Sequence, residues 1–83
     1  MRITVRYFAS LREALGPGQT LDLAEVTTLG GLRDQLSASS AAHAAALGRG
    51  RALRVALNQT LSDESVLVGD DAEVAFFPPV TGG

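Results

Sequence analysis

The sequence predicts an α+β domain in which a mixed sheet wraps one main helix. Three observations carry this. Apolar residues alternate with polar ones near both ends of the chain, at Ile3, Val5 and Tyr7 and again at Val74 and Phe76. Between them, Leu29, Leu32 and Leu36 recur at helical spacing. Glycine, proline and Asp/Asn clusters separate the segments, and their order is strand, strand, helix, strand, short strand, strand. With 83 residues, the chain fits one small domain with a modest core. We place that domain at residues 1–77 and read residues 78–83 as a flexible tail.

The first strand spans Met1 to Tyr7, with Phe8 out of phase with its apolar set. Ser10-Leu11-Arg12-Glu13 matches a capping box, with Ser10 expected to accept from the Glu13 N–H. Leu11 and Leu15 lie one turn apart, and Gly16-Pro17 stops this short helix. Gln19 to Leu23 alternates again and is expected to hairpin back on the first strand.

Thr28 is the expected N-cap of the main helix. Gly30 and Gly31 sit in its first turn, each costing about 1 kcal/mol relative to Ala, so the helix depends on tertiary packing. Ser37 to Gly50 is rich in Ala and Ser. It reads as a loosely held extension or second helical turn, then a loop. The lone His43 in this stretch reads as a surface residue.

Leu53, Val55 and Leu57 mark a third strand, Asn58-Gln59-Thr60 a turn, and Leu61 a short pairing segment. Ser62 to Ser65 is a polar loop, and Val66-Leu67-Val68 is expected to pack back. Gly69-Asp70-Asp71 signals a turn before the last strand, Glu73 to Phe77. A sheet of this order can hold its first and last strands side by side and parallel. Phe8 and Phe77 would then meet on the face away from the helix, where clustered aromatics mark a partner surface. Arg12 at its rim could hold an acidic group.

Pro78 and Pro79 cannot continue a strand, because proline donates no N–H and fixes φ. They should project Val80, Thr81, Gly82 and Gly83 away from the fold, over a reach of about 20 Å at roughly 3.3 Å per residue. Two terminal glycines suit threading of bare backbone through a narrow channel. The terminal carboxylate is ionised at neutral pH and a poor electrophile, and the chain has no phosphate-binding loop or Cys/His pair to activate it. Catalytic machinery must therefore come from elsewhere.

Composition narrows the classes further. The absence of cysteine removes disulfides, thiolate metal sites and a thiol nucleophile. The net charge is −2 and the seven basic side chains, all Arg, form no stripe, which disfavours nucleic-acid binding. No apolar run approaches a membrane span, and the start of the chain reads as a strand rather than a signal peptide. A soluble, cytoplasmic protein is expected. Without lysine, the chain offers no side-chain amine for an isopeptide bond.

Phe8-Ala9-Ser10-Leu11-Arg12-Glu13, Val55-Ala56-Leu57-Asn58-Gln59 and Glu73-Val74-Ala75-Phe76-Phe77-Pro78-Pro79-Val80-Thr81-Gly82-Gly83 together resemble the small subunit of molybdopterin synthase. The resemblance covers the whole chain and is most specific at its end. It implies the ubiquitin-like β-grasp fold. It also implies that an ATP-using activating enzyme adenylates Gly83 and converts it to a thiocarboxylate. The tail, Gly82 included, then enters the large synthase subunit and gives up sulfur to a pterin precursor. The carrier itself would bind no cofactor. Phe8, Arg12, Phe77 and residues 78–81 would be the partner-binding residues, and two large and two small subunits would form the complex. The family often carries Asp-Gly-Asp-Glu before its last strand, where this chain has Gly69-Asp70-Asp71-Ala72-Glu73, so the turn there is open to change. A thiamine-pathway sulfur carrier, a lysine-conjugated modifier and a plain interaction domain are the rival readings.

Overall fold

The computed structural model describes residues 1–79. The expected positions Val80, Thr81, Gly82 and Gly83 lie outside the described residues. β1 (Arg2–Tyr7) buries Ile3, Val5 and Tyr7 and exposes its alternate residues. β2 (Gly18–Asp22) pairs antiparallel with it, Ile3 opposite Leu21. Gly18 lies opposite Arg6 at φ 151°, and a Cβ there would run into the Val5 carbonyl, so close backbone approach requires glycine.

β5 (Glu73–Phe77) lies beside β1 and parallel to it, Val5 opposite Val74 and Tyr7 opposite Phe76. β3 (Arg54–Leu57) pairs antiparallel with the other side of β5, and β4 (Thr60–Ser62) completes a hairpin with β3. The sheet order is β2-β1-β5-β3-β4, with the two chain-terminal strands in the middle. Asn58 (φ 49°) and Gln59 (φ 70°) make the β3–β4 turn, both with the positive φ of a type I′ turn.

The inner face of the sheet packs on three helices, α1 (Ser10–Leu15), α2 (Leu29–Ser37) and α3 (Ala41–Leu47). α2 is the main one and buries Leu29, Leu32 and Leu36 against the sheet. Its Thr28 Oγ1 accepts from the Gly31 N–H at 3.0 Å, as the expected cap does. The Tyr7 and Phe76 rings stack beneath, their centroids 6.4 Å apart.

Three local expectations change. Ser10 is not a cap. Ala9 occupies that position with φ 54°, no side chain caps the helix, and the Glu13 N–H bonds the Ala9 carbonyl at 3.2 Å. The reason is geometric: Leu11 must turn inward directly after β1, so Ser10 already belongs to the helix. Second, residues 37–50 hold a separate helix rather than an extension of α2. Ser40 Oγ caps α3 by accepting from the His43 N–H at 3.0 Å, and Ala46 and Leu47 are buried. Third, of Val66-Leu67-Val68 only Val68 is buried. Leu67 instead forms a bridge with Thr28 and stays 62% exposed.

Arg33 explains why α3 docks. It is 4% exposed, and its guanidinium satisfies the open carbonyls after α3. Nε donates to Leu47, and Nη2 donates to Gly48 and Arg51, at 2.7, 2.8 and 2.7 Å. Nη1 donates to Glu64 Oε2 at 2.8 Å. Glu64 Oε1 takes a further bond from Arg49, which also pairs with Asp34 at 2.9 Å. Gly30 makes room for this cluster, since a Cβ there would stand 3.0 Å from Glu64 Oε1. The two glycines of α2 thus sit where loop atoms crowd the helix.

At the turn before β5, Asp71 rather than Gly69 takes the positive φ, 59°. Its N–H donates to the Arg2 carbonyl at 3.0 Å, which ties the turn to the start of β1. Aspartate tolerates this conformation better than most residues.

Candidate functional site

The outer face of the sheet is built by residues out of phase with the core. Phe8 follows the buried Tyr7, and Phe77 follows the buried Phe76. Because β1 and β5 are parallel and in register, both phenylalanines arrive at the same end of neighbouring strands. The Phe8 N–H donates to the Phe76 carbonyl at 3.2 Å and fastens the two strand ends together.

The rings share one concavity of about 610 Å³. Its apolar lining is Phe8, Phe77, Leu61, Ala56 and Ala75; Arg6, Gln59 and Glu73 are its polar members. The two alanines face each other across β3 and β5 and leave the hollow between larger neighbours. Phe8 is 40% exposed and Leu61 60%, so the patch is open to a partner. Arg6 spans it: its guanidinium lies 5.7 Å from the Phe8 ring centre and 3.7 Å from the Glu73 carboxylate. Both ends of that pair are solvated, so its contribution is orientation more than stability.

Sequence reasoning placed Phe8 and Phe77 together, and the structure does so too. Pro78 and Pro79 follow Phe77 directly, both partly exposed, and leave the middle of the sheet at this patch. Arg12 is different. It is exposed on α1 and has no ion-pair partner among the described residues, but it does not line the concavity. Leu61, Ala56, Ala75 and Arg6 were not singled out from the sequence. The only signal for them was the phase of strands three to six residues long. Among the described residues, no group of three or more His, Asp or Glu side chains could hold a metal ion. Nor is any helix there long and apolar enough to cross a membrane.

A strand that ends in a proline pair beside an exposed aromatic hollow is the arrangement expected of a β-grasp carrier. The family model described as the ThiS family matches residues 5–83. The chain belongs to the ThiS family. Its similarity to the molybdopterin synthase sulfur carrier subunit of Escherichia coli is 44% identity over 81 residues, covering 98% of this chain and 99% of that protein. The same fold recurs in solved structures. One is the small archaeal modifier protein 1 of Haloferax volcanii, 25% identical, with a TM-score of 0.75 over 95% of this chain and 98% of the other. Another, 26% identical with a TM-score of 0.70 and both chains fully covered, comes from a complex of subunits 1 and 2 of the molybdopterin-converting factor of Helicobacter pylori. The β-grasp expectation and the resemblance to the molybdopterin synthase small subunit both hold.

Proposed function

We propose that this chain is a sulfur carrier of molybdenum cofactor biosynthesis, with the Gly83 carboxylate as the group that carries sulfur. The observation that carries the proposal is the course of β5. It runs along the aromatic hollow of Phe8 and Phe77 and passes straight into Pro78-Pro79, so a partner gripping the hollow also receives the chain beyond. The similarity to full-length molybdopterin synthase sulfur carrier subunits supports this reading, and so does the complex of subunits 1 and 2 formed by the similar Helicobacter pylori protein.

The chemistry runs in two exchanges. A carboxylate oxygen of Gly83 attacks the α-phosphorus of ATP on an activating enzyme, and pyrophosphate leaves. A hydrosulfide-level nucleophile, released by a sulfur-donating protein, then attacks the acyl carbon. The new C–S bond replaces the C–O bond to AMP, and a thiocarboxylate results. Inside the large synthase subunit, the thiocarboxylate sulfur attacks a carbon of the pterin precursor and displaces an oxygen leaving group there. Water then hydrolyses the resulting acyl thioester, so the sulfur stays on the pterin and Gly83 returns as a carboxylate. Phe8, Phe77 and the prolines hold the carrier against each partner. Val80, Thr81 and Gly82 thread the channel, and Arg12 meets an acidic group beyond the hollow. ATP serves the activating enzyme, and the carrier keeps no cofactor of its own.

Mass spectrometry after co-expression with the activating enzyme tests this. The carrier reading expects a gain equal to one oxygen exchanged for one sulfur, located at Gly83. An unchanged mass with an active enzyme present sinks it. The likeness to an archaeal modifier favours a second reading, conjugation of Gly83 to lysines of other proteins. Covalent adducts in the same experiment would favour that reading instead.

A further inference from the structure

Four arginines have carboxylate partners: Arg2 with Asp22, Arg6 with Glu73, Arg33 with Glu64, and Arg49 with Asp34 and Glu64. Arg12, Arg51 and Arg54 have none among the described residues, and all three are exposed. They are not scattered. Arg54 stands opposite Phe77 in the β3–β5 register, on the outer face. Arg51 lies three residues earlier and lines a groove with Ser10, Leu11 and Ala14 of α1, the helix that carries Arg12. These elements meet where β1 and β5 end, so the three guanidinium groups belong to the end of the sheet at which the chain leaves it. Glu13 is the one carboxylate on α1.

The opposite end of the sheet has the reverse sign. Asp22, Asp70 and Asp71 gather around the start of β1, with Arg2 and the Met1 ammonium, which donates to the Leu23 carbonyl, as the cations among them. The Arg2 N–H donates to Asp70 Oδ1 at 3.1 Å, and its side chain lies 3.7 Å from Asp22. The six residues of β1 separate the two ends by roughly 20 Å. That exceeds the screening length of about 8 Å at physiological ionic strength, so a partner close to one end feels mainly that end. A chain of net charge −2 therefore presents a positive collar at its tail exit.

We propose that Arg51 and Arg54, with Arg12, form an electrostatic collar that fits a carboxylate-lined rim around the tail slot of the large synthase subunit. This rests on the sulfur-carrier reading. The collar orients the carrier tail-first during approach, while the aromatic hollow holds it once docked. Long-range charge acts on the encounter rate, and buried apolar contact acts on the dissociation rate.

The test is stopped-flow association of the full chain with the large synthase subunit of the same organism, across a range of salt concentrations. The double variant R51Q/R54Q should associate about three- to tenfold more slowly at low salt. It should also show a shallower salt dependence, an unchanged dissociation rate and an unchanged melting temperature. R51K/R54K, which keeps the charge, should restore the rate. D70N/D71N, at the far end, should be no slower than the parent. Equal rates and salt slopes for R51Q/R54Q and the parent overturn the collar alone, as does faster association of that variant. Failure of the parent to bind the large subunit overturns the carrier reading beneath it.

Discussion

Arg33 and Glu64 form an ion pair of 2.8 Å in which the arginine side chain is 5% exposed and the glutamate 30%. One guanidinium thereby joins α2, the end of α3 and the loop after β4. Arg33→Met should cost about 3–5 kcal/mol, because it strands three carbonyls and a partly buried carboxylate. Urea unfolding checks this. A loss under about 1 kcal/mol would mean that water replaces the guanidinium without penalty.

The same carboxylate sets an acid limit. Partial burial pushes the Glu64 carboxyl up, but hydrogen bonds from Arg49 and Arg33 outweigh that and hold it below its ordinary value of 4.5. A group whose pKa is lowered by folding stabilises the fold above its unfolded value. That stability is lost as pH falls through the lower, folded one. Stability should therefore decline below about pH 4.5, and Glu64→Gln should flatten the decline while lowering stability at neutral pH. Parallel pH curves for the two proteins would contradict this.

Phe77 offers a contrast with its neighbour. Phe76 is 1% exposed and belongs to the core, whereas Phe77 lines the outer hollow. Phe77→Ala should weaken association with the large subunit by about 2 kcal/mol or more while costing less than about 1 kcal/mol of stability. Phe76→Ala should do the reverse, at about 3–5 kcal/mol of stability. Calorimetric titration beside thermal melts separates them, and equal losses for Phe77→Ala would make it a core residue.

Deleting Gly83 should abolish thiocarboxylate formation and leave the melting temperature within about 1 °C, since among the described residues the buried cluster ends at Phe76. Mass analysis and a melt on the same sample decide it. A fall in melting temperature that tracks lost function would tie the end of the chain to the core.

Much of this was legible because the relevant signals are local. Ile3, Val5 and Tyr7 announce a strand by period alone, and Phe8 announces its outer face by breaking phase. Thr28 is legible as a cap because a hydroxyl before a leucine stripe has one obvious use. α3 was harder. Alanines pack without declaring a face, and the three serines before it leave the cap ambiguous. What settles its place is Arg33, which in sequence looks like any solvated helix charge. Its carbonyl partners lie fourteen to eighteen positions away, beyond any periodicity. Leu61 and the facing alanines share that difficulty, since the hollow draws on four strands at once.

The central position of β5 also bears on mechanical load. A partner that pulls on the chain beyond Pro79 pulls first on Phe77. There the tension divides between β1 on one side and β3 on the other. To give way, the strand would have to slide lengthwise past both neighbours, breaking several bonds together instead of unzipping them singly. On the sulfur-carrier proposal, a domain held this way would stay folded when its end is drawn back out of a partner.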